Sequence, residues 1–300
     1  MPGFFPSRWP VMCAVMNQVS DLGLALAVEQ AGGLASLYID RYDTAGNIQP
    51  DLVDQSLKEF RAATGHCELV LGLDEHDILD RSMMQILSYH RPSHVEFLSN
   101  QQHGSSAWHD PRFLMCLRIL KTHTRIPCRV VDDFRVNTHA DALCIKGRES
   151  AGLGSDLSVS TLFDMLKAKY PDLPLIPYGG IGSPAQVREY LDRGAAGVAV
   201  GTMFAAAKES CLSHEAKLAM CSGNSEQIQQ LTGTKQNAII LSSDDDLPID
   251  PSDWNREYSL KQGIHSDGHH GHLYVGKAID QVREILPVKE IMRYLTGDLL

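Results

Sequence analysis

The sequence lacks the features of a membrane-spanning, secreted or nucleic-acid-binding protein. No run of 18 apolar residues occurs, and no cationic leader followed by an apolar stretch opens the chain. The formal net charge of −10 at pH 7 leaves no excess of basic residues with which to cover nucleic acid or an anionic membrane surface. We therefore expect a cytoplasmic protein that acts on a small molecule.

Cysteine pairing motifs are also missing. The chain has seven cysteines, an odd number, and no two of them have C-x-x-C spacing. Several lie in apolar runs, which favours buried, reduced thiols over a disulfide framework or a thiolate metal site. A chain of 300 residues can bury a large core without either of these.

Short apolar runs alternate with helical patterns through most of the chain. The predicted strands are residues 10–16, 34–39, 67–73, 94–98, 126–131, 141–145, 174–178 and 197–200. Strands that alternate with helices form a parallel sheet, and eight such units suit a closed barrel. We predict an α/β protein of the (β/α)8 TIM-barrel class over residues 1–221. Its fifth helix is trimmed, because only residues 132–140 join the fifth and sixth strands.

The helices of this barrel are predicted from apolar periodicity and from capping residues. They cover residues 20–31, 51–64, 77–89, 111–122, 157–170 and 183–193, and an eighth helix begins at 203–209. Ser20 and Ser183 are the predicted N-caps of two of them, and Pro184 suits a first helical position. Residues 222–275 are polar and predict an insertion or flap. Helical periodicity returns in residues 276–300, which predict a terminal helix packed on the barrel.

Two glycine turns follow the last two predicted strands. Gly179 and Gly180 come after the seventh strand, and Gly201 and Thr202 come after the eighth. Each turn opens a helix, whose free N–H groups and dipole favour an anion. In an eight-stranded barrel these two loops often bind a phosphate. The sequence therefore predicts a phosphate site between Gly180 and Thr202.

Several segments resemble the nitronate monooxygenase family and the related FMN-dependent enoyl reductases. The specific part is IPYGGIG at residues 176–182, followed by GAAGVAVGTMF at 194–204. Weaker agreement comes from PVMCAVM at 10–16, AGGLASL at 31–37, KGRESAG at 146–152 and LYVGK at 273–277. The resemblance implies an FMN-dependent oxidoreductase. The residues it implies at the cofactor are Ala14, Val15, Met16, Lys146, Ala151, Gly152, Gly179, Gly180, Ala199, Val200, Gly201 and Thr202.

The loop after the sixth strand departs from the family pattern. Leu153 stands where the family has its catalytic histidine, and a leucine cannot exchange a proton. Lys146 replaces a glutamine that faces the flavin pyrimidine ring, and would place positive charge where negative charge accumulates on reduction. Lys146 and Glu149 are the candidate catalytic residues. The asparagine usual at the end of the third strand is also absent, with Gly72 and Leu73 there instead.

Several functions fit these residues. Oxidation of a small nitronate-like substrate at flavin N5 is the leading hypothesis, with O2 or NAD(P)H as electron partner and a homodimer as the assembly. The alternatives are an enoyl reductase of a lipid or polyketide pathway, a flavin-binding partner subunit with altered catalysis, and a phosphate-binding barrel without flavin. The histidines between His265 and His272 suggest a mobile loop or an active-site flap more than a metal site, because their spacing matches no defined site.

Overall fold

Eight short parallel strands form the centre of the computed structural model, which describes residues 4–98, 106–130, 139–230, 236–242 and 270–299. These strands are β1 (Val11–Cys13), β2 (Ala35–Tyr38), β3 (Leu69–Leu73), β4 (His94–Phe97), β5 (Pro127–Val130), β6 (Ala142–Lys146), β8 (Leu175–Tyr178) and β9 (Val198–Val200). All eight fall within the runs predicted from sequence, apart from Lys146, which extends β6 by one residue.

The strands follow one another in the order expected of a (β/α)8 barrel. One sheet has the order β1-β9-β8-β6-β5 and a second has the order β2-β3-β4. Two isolated parallel bridges, Met12 with Leu34 and His94 with Arg125, join the sheets at both edges. The strand order is thus cyclic, and the predicted α/β TIM-barrel class is confirmed.

Helices connect the strands and cover their outer faces. They are α1 (Leu22–Gln30), α2 (Pro50–Thr64), α3 (Arg81–His90), α4 (Pro111–Leu120), α5 (Val159–Lys169), α6 (Pro184–Asp192), α7 (Thr202–Ala205), α8 (His214–Ser222) and α9 (Val288–Thr296). No helix in the described ranges is long and apolar enough to cross a membrane. The predicted fifth crossover lies largely in residues 131–138, outside the described residues.

Two predicted helix starts are wrong for the same reason. Asp21, not Ser20, caps α1, because the Ser20 hydroxyl bonds the Ala14 carbonyl inside the barrel instead. The helix predicted from residue 77 begins only at Arg81, where Asp80 accepts from Met83 N–H. Asp77 lies in a 3-10 turn and pairs with a buried arginine. In both places a tertiary contact takes a side chain that the local pattern placed at the start of a helix. Ser183 does cap α6, as predicted.

The terminal helix is shorter than its periodicity predicts. A 3-10 turn covers Lys277–Gln281, and α9 starts only after Pro287. Proline lacks an amide hydrogen and tolerates only the first turn of a helix, so the apolar pattern is divided at this point. The buried face of α9 packs against α1 and α6. The eighth barrel helix is likewise split into α7 and α8.

A small antiparallel sheet lies in the polar region after α8. It contains β10 (Gln229–Gln230), β11 (Gln236–Ser242) and β12 (His270–Leu273). The first residues of β11 also pair with β7 (Gly152–Leu153), in the loop after β6. The polar region is therefore anchored beside the residues predicted to meet a cofactor. Residues 243–269, which include most of the histidine cluster, lie outside the described residues, as do the side chains of His270 and His272.

The core has two layers because strand residues alternate between the barrel interior and the helices. Most buried apolar side chains lie between strands and helices. A second cluster, which includes Met12, Val70, Cys144 and Ile176, fills the barrel interior. All seven cysteines are free thiols, and four of them are buried.

The buried His94 in β4 should make stability depend on pH. Burial lowers its pKa from 6.5 to about 4, and the nearby Arg125 acts in the same direction. The unfolded chain therefore binds a proton between pH 6.5 and 4 that the folded chain does not. This stabilisation is complete above pH 6.5, and about 3 kcal/mol of it is lost as the pH falls to 4.

Urea unfolding of the wild type and of His94→Gln at several pH values measures this effect. The variant should show a shallower loss of free energy of unfolding between pH 7 and 4.5. Parallel curves for the two proteins would contradict the assignment.

Candidate active site

The turn after β8 has a backbone that only glycine adopts easily. Gly179 and Gly180 have φ values of +103° and +70°. The Gln186 side chain holds the turn from both sides, accepting from Gly182 N–H at 3.0 Å and donating to the Gly180 carbonyl at 3.0 Å. Helix α6 begins directly after it, with its dipole directed at the turn.

The turn after β9 lies beside the end of β1. A Cβ atom on Gly201 would be 3.4 Å from the Ala14 Cβ and 3.5 Å from the Met16 sulfur. The buried Thr202 hydroxyl accepts from Gly276 N–H at 3.0 Å, so its own hydrogen remains available to another acceptor. The C-terminal segment thus crosses the site at Gly276.

The two turns present amides that suit an anion. Within the described parts of the chain, no protein atom accepts a hydrogen bond from the N–H groups of Gly180, Ile181, Thr202 and Met203. Ile181, Thr202 and Met203 are buried. Buried N–H groups normally have a partner, and phosphate oxygens are strong acceptors. These residues therefore fit the phosphate group of a cofactor.

The third element of the site is the loop between β6 and α5. Ser150 is buried, and its hydroxyl donates to the Tyr178 carbonyl at 2.9 Å. Lys146 is half-buried at the end of β6, with its Nζ 3.3 Å from the Ala151 carbonyl. The loop and the β8 turn are in close contact, since a Cβ on Gly179 would lie 2.2 Å from Ser150 Oγ.

Glu149, predicted as a catalytic candidate, has a capping contact. Its Oε2 accepts from Val159 N–H, the first helical residue of α5, at 2.9 Å. A cavity of about 310 Å³ lies beside it, and Gly180, Gln186, Tyr190 and Lys277 contribute to its lining. Glu149 is therefore bonded to the first amide of α5 and lies beside this cavity.

The remaining predicted residues have distinct positions. Ala199 is buried in the barrel interior, while Val200 is buried against the helices and contacts β1 through its carbonyl, which accepts from Ala14 N–H at 2.9 Å. Gly152 and Leu153 form β7, and Leu153 is half-buried opposite Gln236. The end of β1, the β6 loop and both glycine turns therefore meet at one end of the barrel.

Gly72 explains why no asparagine occupies the end of β3. A Cβ at this position would lie 2.4 Å from a methyl group of Val15. The turn that follows β1, called the β1 turn below, contains Val15 and fills the space that a larger side chain would need. Gly72 therefore lets the β1 turn pack directly on β3.

Sequence reasoning missed a buried polar network inside the barrel. Glu96 in β4 accepts from Arg129 in β5 and, at 2.8 Å, from the Tyr178 hydroxyl in β8. Burial, followed by the neighbouring Cys144 and Glu96, raises the pKa of Tyr178 well above its ordinary value, so that it remains a donor. The sequence did contain a signal for this network. Glu96 and Arg129 are charged residues, and each interrupts a mostly apolar strand pattern.

Comparison with solved structures supports the fold assignment. FabK from Thermotoga maritima superimposes with a TM-score of 0.77 and 20% identity, over 98% of this chain and 94% of that one. Nitroalkane oxidase from Streptomyces ansochromogenes gives 0.73 and 19%, over 98% and 96%. The enoyl reductase domain of MlnA, from the macrolactin biosynthesis cluster of Bacillus amyloliquefaciens, gives 0.72 and 12%, over 98% and 94%. No curated protein matched significantly.

The strand order and the loops define an α/β barrel with two glycine turns at one end. The family model for nitronate monooxygenase matches residues 121–298, more than half of the chain. The chain therefore belongs to the nitronate monooxygenase family, and it is an FMN-dependent oxidoreductase.

Proposed function

We propose that this protein oxidises a small nitronate anion, with its FMN phosphate held between the β8 and β9 turns. The observation that supports this placement of the phosphate is the set of four N–H groups without a protein acceptor in the described residues, at Gly180, Ile181, Thr202 and Met203. Family membership supports FMN as the cofactor whose phosphate would bind these groups. The Thr202 hydroxyl donates a further hydrogen bond to the phosphate.

The other proposed contacts follow from the positions around the barrel mouth. Ala14, Val15 and Met16 lie along one edge of the isoalloxazine ring. The β6 loop approaches the ring through Ala151 and Gly152. The phosphate is flanked by Gly179, Ala199, Val200 and Gly201. FMN, when bound here, supplies two-electron redox chemistry at N5.

Lys146 provides fixed positive charge at this site. It is half-buried at the end of β6, and its Nζ is held near the Ala151 carbonyl. Charge that is already in place stabilises an anion as it develops, because no solvent has to reorganise. We propose that Lys146 stabilises the negative charge of the reduced pyrimidine ring.

Leu153 determines the ionisation state of the substrate in this proposal. A leucine cannot remove the proton next to a nitro group. The substrate must therefore arrive as the nitronate, already deprotonated, and not as the neutral nitroalkane. Glu149 does not compensate if its carboxylate stays on the α5 N–H.

The test begins with mass spectrometry of the cofactor released from native protein, which should identify FMN. The protein is then mixed under air with a nitronate and, separately, with the parent nitroalkane before it has ionised. We expect turnover of the nitronate alone, and a Leu153→His variant should gain turnover of the nitroalkane. Rapid bleaching of the flavin by NADPH, with reduction of an enoyl thioester, would contradict the proposal and favour the reductase.

Replacing Lys146 with methionine should make the FMN reduction potential more negative. We expect a shift of about 30 mV, equivalent to about 1.4 kcal/mol for a two-electron couple. Spectroelectrochemical titration measures it. Lys289→Met, at an exposed position of α9, is the matched control and should leave the potential unchanged. Equal reduction potentials in all three proteins would show that the Lys146 charge does not act on the cofactor.

A further inference from the structure

Arg129 connects the barrel interior to the turn that follows β1. Its Nε donates to Glu96, and its Nη2 donates to the Val15 carbonyl at 3.1 Å. The Glu96 side chain is fully buried and that of Arg129 is 18% exposed. One guanidinium therefore fixes a backbone atom of the β1 turn from the opposite side of the barrel.

The charge of this guanidinium is balanced within the barrel. Burial alone would lower the pKa of Arg129, but the Glu96 carboxylate beside it raises the pKa above its ordinary value. Arg129 thus remains a planar cation with its donors in fixed directions. A neutral or flexible side chain could not hold both Glu96 and Val15 in this geometry.

The same network reaches two further loops of the candidate site. Glu96 also accepts from the Tyr178 hydroxyl, and the Tyr178 carbonyl accepts from the Ser150 hydroxyl. Tyr178 immediately precedes the Gly179–Gly180 turn. The β1 turn, the β6 loop and the β8 turn are therefore tied to a single buried carboxylate.

We propose that Arg129 is a positioning residue for the flavin: by holding the Val15 carbonyl, it sets the shape of the β1 turn on which the isoalloxazine ring rests. The proposal builds on the proposed cofactor contacts of Ala14, Val15 and Met16. Gly72 contributes from the other side, because its missing side chain lets Val15 pack down on β3. The turn is thus fixed through its backbone by Arg129 and through its side chain by Gly72.

The test is titration of apo-protein with FMN, followed by flavin fluorescence, for the wild type and three variants. In Arg129→Met the β1 turn loses its tether, and the Kd for FMN should rise at least about tenfold, with altered fine structure in the visible spectrum of bound FMN. Arg129→Lys keeps the charge but cannot span both partners, and should weaken binding by a smaller factor. Tyr178→Phe keeps the Arg129–Val15 contact but releases the β8 turn from Glu96, so its Kd should rise by a smaller factor than that of Arg129→Met.

A destabilised control separates positioning from general loss of stability. Asp77→Asn breaks a different buried arginine pair, Arg41–Asp77, which has no contact with the β1 turn in the described structure. It should lower stability and leave the Kd for FMN unchanged. If Arg129→Met does not fold, Arg129→Lys carries the test.

Two results would overturn the inference. One is wild-type affinity for FMN in a folded Arg129→Met or Arg129→Lys variant. The other is an equal loss of affinity in Asp77→Asn, which would show that any weakened barrel binds flavin poorly. Failure of the wild type itself to bind FMN would instead contradict the proposed function.

Discussion

Gly179→Ala should abolish FMN binding at micromolar cofactor while the protein remains folded. The native φ of +103° is unfavourable for alanine, and the added methyl group would lie 2.2 Å from Ser150 Oγ and 2.7 Å from the Ser150 backbone. Either the turn or the β6 loop must move, and both belong to the proposed site. We expect the Kd for FMN to rise at least about 100-fold, which corresponds to about 2.8 kcal/mol.

Gly46→Ala is the matched control for this experiment. Gly46 also has a positive φ, +81°, but a Cβ there would have no atom within 4 Å. It carries a similar backbone cost without a collision, so FMN binding should be unchanged. Thermal unfolding of both apo-proteins shows how much of each effect is general destabilisation. If Gly179→Ala binds FMN with wild-type affinity, the β8 turn is not part of the cofactor site.

Asp77→Asn should cause a large loss of stability, because it removes one charge of a buried ion pair. Asp77 and Arg41 are both fully buried, and Arg41 Nε donates to Asp77 Oδ2 at 2.7 Å. The second partner of Arg41, Asp74, is 40% exposed and cannot replace a buried charge. Removing one member of a buried pair costs roughly 3–5 kcal/mol, because the other charge stays buried without full compensation.

Urea unfolding at pH 7 measures this loss. The control is Lys58→Gln, which breaks the Lys58–Asp54 pair on the surface of α2, where solvent screens the charges. The control should show no measurable change in free energy of unfolding. A loss below about 1 kcal/mol in Asp77→Asn would mean that water or a neighbouring group solvates Arg41 after the substitution.

The elements that sequence predicted well are those whose signals are local. Each barrel strand is a short apolar run between polar loops, and Ser183 with Pro184 marks the start of α6 at the predicted residue. The two glycine turns were recognisable because an unusual φ requires a particular residue type. The match of the family model to residues 121–298 confirms the assignment that these motifs suggested.

The elements that sequence predicted poorly are those in which a distant residue competes for the same side chain. Ser20 had the right type and position for a cap, but the Ala14 carbonyl takes its hydroxyl. Asp77 resembled a helical residue and instead neutralises Arg41. The terminal helix was overestimated for a local reason, because Pro287 outweighs an otherwise continuous apolar pattern.

The amino-acid sequence by itself determined the class of fold, the order of its strands and the place of the two glycine turns, because alternation, capping and glycine conformation act over a few neighbouring residues. Only the tertiary structure decided which polar side chains meet inside the barrel. Glu96, Arg129 and Tyr178 come from three different strands, and closure of the barrel brings them together around one carboxylate. The spacing of these three residues along the chain does not reveal that contact, because the contact depends on how all eight strands are arranged around the barrel.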